Sequence, residues 1–210
     1  MLERSIILEI LNYLKEKRWR MGTYVASQAQ FQEPIECGPL PEGLTLVEID
    51  VNNPTHKENW AKLHRECFPS SKANKFEDSI VNHPVVALKK SWLVFSGEQA
   101  VGAATAGVYS RKSDVGVGHY IMVSPKARGT GLGKHLAKMR YRFLFDQGIR
   151  VFESETRAHC QESLNMHWSL GFVPKWSFDP WNTKPKTRLH NRIIQALELQ
   201  LNYRIWQWKR

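Results

Sequence analysis

Apolar residues along the chain switch between a period near 3.6 and a period near 2, and the order of switching predicts the elements. Ile6, Ile7, Ile10, Leu11 and Leu14 recur at helical spacing, so residues 3–20 are expected to form an amphipathic helix. Pro34, Gly38, Pro39 and Pro41, with Gly43 just beyond, mark residues 33–42 as a linker. A strand is predicted from Leu44 to Ile49, then helical segments around Lys57 to Cys67 and Lys75 to Val81. Three strands follow at Trp92 to Phe95, Val101 to Tyr109 and Val115 to Val123, the first two joined by a turn at Gly97-Glu98. Leu132, Leu136, Met139 and Phe143 share one face, which predicts a helix to about Gln147 capped by Gly148. Arg150 to Thr156 then reads as a strand, Gln161 to Leu170 as a helix and Phe172 to Phe178 as a strand. Arg192 to Leu201 fits both periods: Ile193, Leu197, Leu199 and Leu201 share one strand parity, and the same residues satisfy helical spacing. There is no internal repeat and no low-complexity segment.

Between the strand that ends at Val123 and the helix that follows lies Ser124-Pro125-Lys126-Ala127-Arg128-Gly129-Thr130-Gly131-Leu132-Gly133-Lys134. Glycines at alternate positions remove the β-carbons that would keep a ligand from the main chain. The amides of a first helical turn have no intrahelical acceptor, so together they favour an anion. Two familiar phosphate loops are excluded by spacing. A dinucleotide fingerprint needs glycine where Lys134 or Leu136 stands, and a Walker A loop needs glycine at Arg128 and Ser or Thr at His135. What remains is Arg-x-x-Gly-x-Gly at Arg128, Gly131 and Gly133. By itself this is equally well a flexible strand-to-helix turn.

A second block downstream decides between those readings. The Arg-x-x-Gly-x-Gly turn resembles motif A of the GNAT N-acetyltransferase superfamily, and Ser163-Leu164-Asn165-Met166-His167-Trp168-Ser169-Leu170-Gly171-Phe172 resembles its motif B. The resemblance covers about residues 43–180 and is sharpest from His119 to Phe172. It implies a fold of the α/β class, an α+β mixed sheet of the GNAT acyl-CoA N-acyltransferase type, with an N-terminal helical extension. Residues 1–42 would be that extension and its linker, and 43–210 the acetyltransferase domain. The fold calls for a last strand, which is placed at Arg192 to Leu201.

The same resemblance implies the chemistry. Acetyl-CoA would be the co-substrate, with no metal, and a primary amine of a small molecule or protein would attack it directly in a ternary complex. Main-chain groups of Ile121, Met122 and Val123 would bind the pantetheine arm. Gly129, Thr130, Gly131, Leu132, Gly133 and Lys134 would hold the pyrophosphate, with Arg128 at the family's Arg/Gln position. Glu155, in Glu153-Ser154-Glu155-Thr156-Arg157, takes the place of the general base, against the alternative of a strand-end carboxylate paired with Arg150 or Arg157. His119 is the rival base, since histidine titrates near neutrality. His167 stands where a tyrosine usually protonates the departing thiolate, and Cys160 where motif B commonly begins with asparagine. These two departures keep a second function open, a non-catalytic acyl-CoA-binding or sensing module. Cys67, Phe68, Trp176, Trp181, Trp206 and Trp208 fall in the regions that would build the acceptor pocket.

Charge and composition narrow the setting. With 210 residues and 42% apolar content the chain can bury one domain's core. No apolar run approaches the ~20 residues of a membrane span, and Glu3 and Glu9 interrupt any signal-like segment. Three cysteines, Cys37, Cys67 and Cys160, cannot all pair and are not spaced as metal ligands, which fits thiols in a reducing cytoplasm. The formal net charge is +10. From Pro125 to Phe145 there are six Lys or Arg and no acid, as a polyanionic cofactor would require. Residues 177–210 add seven basic and two acidic residues, which admits nucleic acid or the ribosome as a partner, although no RNA-binding motif accompanies them. A solvated basic face explains them equally well. The basic N-terminal helix would dock on the domain or on a second copy in a homodimer.

Overall fold

Residues 24–69, 76–83, 86–157, 160–174 and 200–209 are described by the computed structural model of the chain. They fall into two units, one of Gln30–Glu153 and one made of Met1–Ala29 with Ser154–Arg210. In the larger unit, strands β2 (Leu44–Glu48), β3 (Val86–Ser96), β4 (Gln99–Tyr109) and β5 (Lys112–Val123) lie side by side in chain order, all antiparallel. Strand β6 (Val151–Arg157) joins β5 in parallel through Val115↔Val151, Gly116↔Phe152 and Val117↔Glu153, so the sheet is mixed.

The centre of this sheet is apolar on both faces, which is why β4 reads as a run of small residues rather than an alternation. Leu93, Ala103 and Met122 pack with Trp60 and Leu63 of helix α1 (Pro54–Cys67). Their strand neighbours Val94 and Ala104 point the other way, against Leu132 and Leu136 of helix α2 (Leu132–Asp146). Helix α1 starts three residues earlier than predicted, because Asn53 caps it (Oδ1 accepts from Thr55 N at 2.9 Å and His56 N at 3.3 Å) and Pro54 fits the first turn. Helix α2 ends as expected: Gly148 has φ 86° and donates to Phe145 O at 2.9 Å.

Other elements differ from the prediction. The segment Glu77–Val81 is a single π turn, closed by Asn82 N donating to Glu77 O at 2.7 Å. Strand β3 begins at Val86 rather than Trp92; Lys89 and Lys90 interrupt the apolar pattern, and Lys90 pairs with Glu48 across the ladder at 2.6 Å. The proline-rich segment belongs to the larger unit. Leu40 packs against the Leu132–Leu136 cluster.

In the smaller unit, strand β1 (Tyr24–Gln30, all but its last residue) pairs antiparallel with β7 (Val173–Pro174) at Ser27↔Pro174 and Gln28↔Val173. Helix α3 (Gln161–Ser169) buries Leu164 and Trp168, and residues 200–208 form a helix, α4, whose Tyr203 and Trp206 pack on them. Gln200 and Leu201 are therefore helical, which corrects the end of the strand expected at Arg192 to Leu201. The helix at these positions brings Tyr203 and Trp206 to the Trp168 ring, at 5.4 and 5.8 Å. The helix expected at residues 3–20, the rest of the Arg192 segment, and Trp176 and Trp181 lie outside the described residues. No helix among the described residues is long and apolar enough to cross a membrane.

Candidate active site

The turn after β5 is built so that its own groups leave the main-chain donors unspent. Ser124 is fully buried; its N–H donates to Val101 O at 2.9 Å and its hydroxyl to Glu66 Oε2 at 2.8 Å, which anchors the loop to β4 and to the end of α1. A short 3₁₀ turn, Pro125–Ala127, follows. Thr130 folds back, its hydroxyl donating to Ala127 O at 2.8 Å and accepting from Leu132 N at 3.4 Å. Gly129 and Gly131 take φ of 81° and 84°, and the N-cap of α2 is Gly131, with no side-chain cap. Among the described residues, the N–H groups of Gly129, Thr130, Gly131, Gly133 and Lys134 have no hydrogen-bond acceptor. No atom lies within 4 Å of where a β-carbon on Gly129 or Gly131 would stand. Unspent donors at the positive end of a 15-residue helix, with open space before them, suit a diphosphate. Lys126, Arg128 and Lys134 are exposed beside it, and Arg128 Nε rests 3.4 Å from Val123 O.

Upstream, Ile121, Met122 and Val123 pair with Ala104, Ala103 and Gly102 along one edge. The opposite edge of Ile121–Val123 belongs to no ladder among the described residues, which leaves main-chain groups for an extended arm. Immediately before them is a β-bulge. His119 pairs with Thr105 and Ile121 with Ala104, so Tyr120 is the extra residue, with φ 54°. A tyrosine in the left-handed region is uncommon, and the flanking ladder holds it there.

The histidine next to it does not behave as its residue type suggests. His119 packs edge-on against His83 (3.9 Å between centroids) and Tyr120 (4.2 Å), and its Nε2 is buried with no hydrogen-bond partner. Burial above all, then His83 and Arg140, push it down to about 3. His119 is thus neutral across the physiological range and a weak proton acceptor, contrary to the near-neutral titration expected of it. Trp60 and His64 of α1 and Phe68, its C-cap, gather around the Tyr120 ring at 6.3, 6.0 and 6.1 Å. Cys67 packs against the same core, its thiol pushed up to about 11, mainly by burial.

Glu155 and His167 belong to the smaller unit, the cradle and Ile121–Val123 to the larger. Glu155 is exposed on β6 between buried Ser154 and Thr156. The alternative partner Arg150 is engaged elsewhere: it donates to Phe145 O at 2.7 Å and stacks on the Phe145 ring. His167 is 4% exposed and held at both ring nitrogens, with Nδ1 2.8 Å from Ser163 O and Nε2 2.8 Å from Ser154 Oγ. A carbonyl only accepts, so Nδ1 carries a proton, and in the neutral ring Nε2 accepts from the Ser154 hydroxyl. Ser154, His64 and Tyr120 were not singled out by sequence, whereas Ser163 stood at the head of the motif B match.

Residues 57–172 match the model of the acetyltransferase (GNAT) family, more than half of the chain. Among solved structures, the chain is similar to a GCN5-related N-acetyltransferase from Sphaerobacter thermophilus, with a TM-score of 0.55 and 15% identity over 79% of this chain and 52% of that one. It is similar to AAC(6')-Iy in complex with the bisubstrate analogue CoA-S-monomethyl-acetylneamine, with a TM-score of 0.51 and 21% identity over 68% of this chain and 99% of that one. It is also similar to the ribosomal-protein-S18-alanine N-acetyltransferase from Escherichia coli, with a TM-score of 0.51 and 18% identity over 62% and 77% of the two chains. At these identities the likeness is one of fold. The chain spans about half the length of the Sphaerobacter thermophilus structure, 52%. No curated protein is significantly similar to it in sequence.

Proposed function

From the premise that the chain belongs to the acetyltransferase (GNAT) family, we propose that it transfers an acetyl group from acetyl-CoA to a primary amine of a small molecule or protein, by direct attack in a ternary complex. The observation that carries this is the set of unspent donors from Gly129 to Lys134 in front of open space. Bound there, acetyl-CoA supplies an activated thioester. Gly129, Thr130, Gly131, Leu132, Gly133 and Lys134 hold the pyrophosphate through their turn, and Arg128 leaves Val123 O for a phosphate oxygen. That releases the Val123 carbonyl, which with Ile121 and Met122 then fixes the arm.

The remaining residues handle protons. Glu155 takes one from the ammonium of the acceptor, through water, so that nitrogen attacks as the neutral amine. When the carbon–sulfur bond breaks, the leaving thiolate receives a proton. His167 supplies it as the imidazolium: its Nε2 proton passes to Ser154 Oγ as the Ser154 proton passes to sulfur, which leaves the neutral ring with its proton on Nδ1. Attack thus forms an amide and free thiol: nitrogen loses one proton before attack and a second as the tetrahedral adduct collapses, one proton goes to sulfur, and the other leaves to solvent.

Calorimetry with acetyl-CoA and release of thiol with a panel of amines test the two halves separately. We expect micromolar binding, turnover with at least one amine, and a loss of about 10²-fold or more in kcat for Glu155→Gln at unchanged acetyl-CoA affinity. No heat of binding at millimolar acetyl-CoA would overturn the reading. The second function rests on the commitment of both His167 ring nitrogens: a module that senses acyl-CoA would bind it and release no thiol with any amine.

A further inference from the structure

The arm of a cofactor anchored at Gly129–Lys134 runs back along the open edge of Val123, Met122 and Ile121, so its reactive end comes to the next residue, Tyr120. An acceptor has to meet it there. Around the Tyr120 ring stand His119 from β5, Trp60 and His64 from α1, and Phe68 at its C-cap. Trp60 is 1% exposed and stacks on His64 with centroids 5.0 Å apart, so it forms a floor, while Phe68 and Tyr120 remain half-buried at the rim.

Two polar atoms in this ring cluster lack a protein partner. The Nε2 atoms of His64 and His119 are both buried and make no hydrogen bond, and the His64 side chain is only 4% exposed. Buried polar atoms in native proteins are nearly always paired, so two left without a partner among the described residues, on histidines that both pack on the Tyr120 ring, suit a bound ligand. Burial holds both imidazoles below their ordinary range, so neither brings a charge.

The surrounding carboxylates are mostly spoken for. Of the four on α1 and the π turn, Glu58 pairs with Lys62 at 2.9 Å, Glu66 accepts from Ser124, and Glu77 pairs with Lys57 at 3.2 Å. Asp78 alone is left exposed without an ion pair among the described residues, so these two elements offer little to an acceptor with several positive charges. A polycation would also be repelled by a chain of net charge +10.

We infer that this cluster is the acceptor site, and that the acceptor is a singly charged amine bearing an aromatic or branched apolar group, which stacks on Phe68 and Tyr120 while a polar atom of it hydrogen-bonds to the Nε2 of His64 or His119. The inference rests on the acetyl-transfer reading above. It makes His64 a specificity residue, one that senses the acceptor and not the cofactor.

Thiol release with acetyl-CoA is compared for tryptamine, phenethylamine and spermidine on the full chain, alongside calorimetry with CoA. The two aryl amines are expected to exceed spermidine in kcat/KM by about tenfold or more. His64→Phe should raise KM for tryptamine about tenfold at unchanged CoA affinity, and His64→Gln should recover part of the loss. Phe68→Ala, which leaves the buried histidine in place, should raise it as well and guards against misfolding of the first variant. If CoA binds and spermidine is the better acceptor, or if folded His64→Phe and Phe68→Ala both keep the parent KM, the inference is overturned. If CoA fails to bind, the acetyl-transfer reading falls instead.

Discussion

The guanidinium of Arg140 occupies the space that a β-carbon on Gly118 would need. Arg140 is 1% exposed; its Nη2 donates to Tyr141 Oη at 2.8 Å and its guanidinium lies over the Tyr141 ring. Gly118 directly precedes the His119–Tyr120 bulge, so a buried cation on α2 fixes both the residue type and the path of β5. Gly118→Ala cannot be absorbed by the end of a flexible chain, because the far end of Arg140 is itself enclosed. We expect it to destabilise the fold by about 2–4 kcal/mol, from overpacking and a displaced buried charge. Urea unfolding reads the loss directly. Adding Arg140→Leu should restore part of it, a non-additivity of about 1 kcal/mol or more, and strict additivity would refute the overlap.

Acid should weaken the fold through His119. Burial first, then His83 and Arg140, lower it from 6.5 to about 3, so the folded state keeps it neutral while the unfolded chain protonates near 6.5. Between those values the unfolded state binds more protons. The contribution to stability is therefore complete above about pH 6.5 and declines as pH falls toward 3, by up to about 1.4 kcal/mol per pH unit. His64 and His83 shift in the same direction, also through burial, and steepen the decline. Unfolding free energies at about pH 7.5, 6 and 5 should show this slope, reduced in His119→Asn. Equal slopes in the two proteins would show that His119 is not the group responsible.

Local physics explains which parts of the molecule were legible from sequence. Helix α2 and its Gly148 cap follow from periodicity and a left-handed glycine, and the cradle follows from glycines whose backbone only glycine adopts easily. The small-residue run of β4 announced a strand buried on two sides. The Tyr120 bulge was invisible because it depends on which residues of β4 face it, a property of strand pairing and not of any local signal. The neutrality of His119 is likewise made at a distance, by burial first and then by His83 and Arg140. Strand β1 was missed because Tyr-Val-Ala-Ser-Gln-Ala-Gln has too few apolar residues to show alternation, and its inward Ser27 is buried at 2% exposure as a polar residue.

Gly131 separates the needs of the fold from those of the ligand. Its φ of 84° costs a β-branched residue about 1–2 kcal/mol, whereas asparagine tolerates the left-handed region. Space around its missing β-carbon is open, so nothing in the protein itself would clash with a side chain there. Gly131→Asn is therefore expected to keep stability within about 1 kcal/mol of the parent while weakening acetyl-CoA by about tenfold or more, because its side chain stands where the phosphates approach. Gly131→Val should lose both. Calorimetry and urea unfolding on the same samples distinguish the effects, and an Asn variant with parental affinity would place the phosphates elsewhere.

Cys160 is the N-cap of α3, with φ −87°, ψ 72° and no side-chain cap to the helix. Its carbonyl already accepts from Leu164 N at 3.1 Å, so the backbone is in capping position and only a good acceptor side chain is missing. Asparagine and serine supply that acceptor to the second or third amide of the helix, whereas a thiol is a weak one. Cys160→Asn and Cys160→Ser should each stabilise the protein by about 0.5–1 kcal/mol, read as a higher urea midpoint at unchanged slope. The pair also tests whether this position touches the cofactor. If it does, asparagine alone, with its longer reach and amide donors, lowers the KM for acetyl-CoA; if both variants gain the same stability and neither changes KM, the residue serves only to start the helix that carries Ser163 and His167.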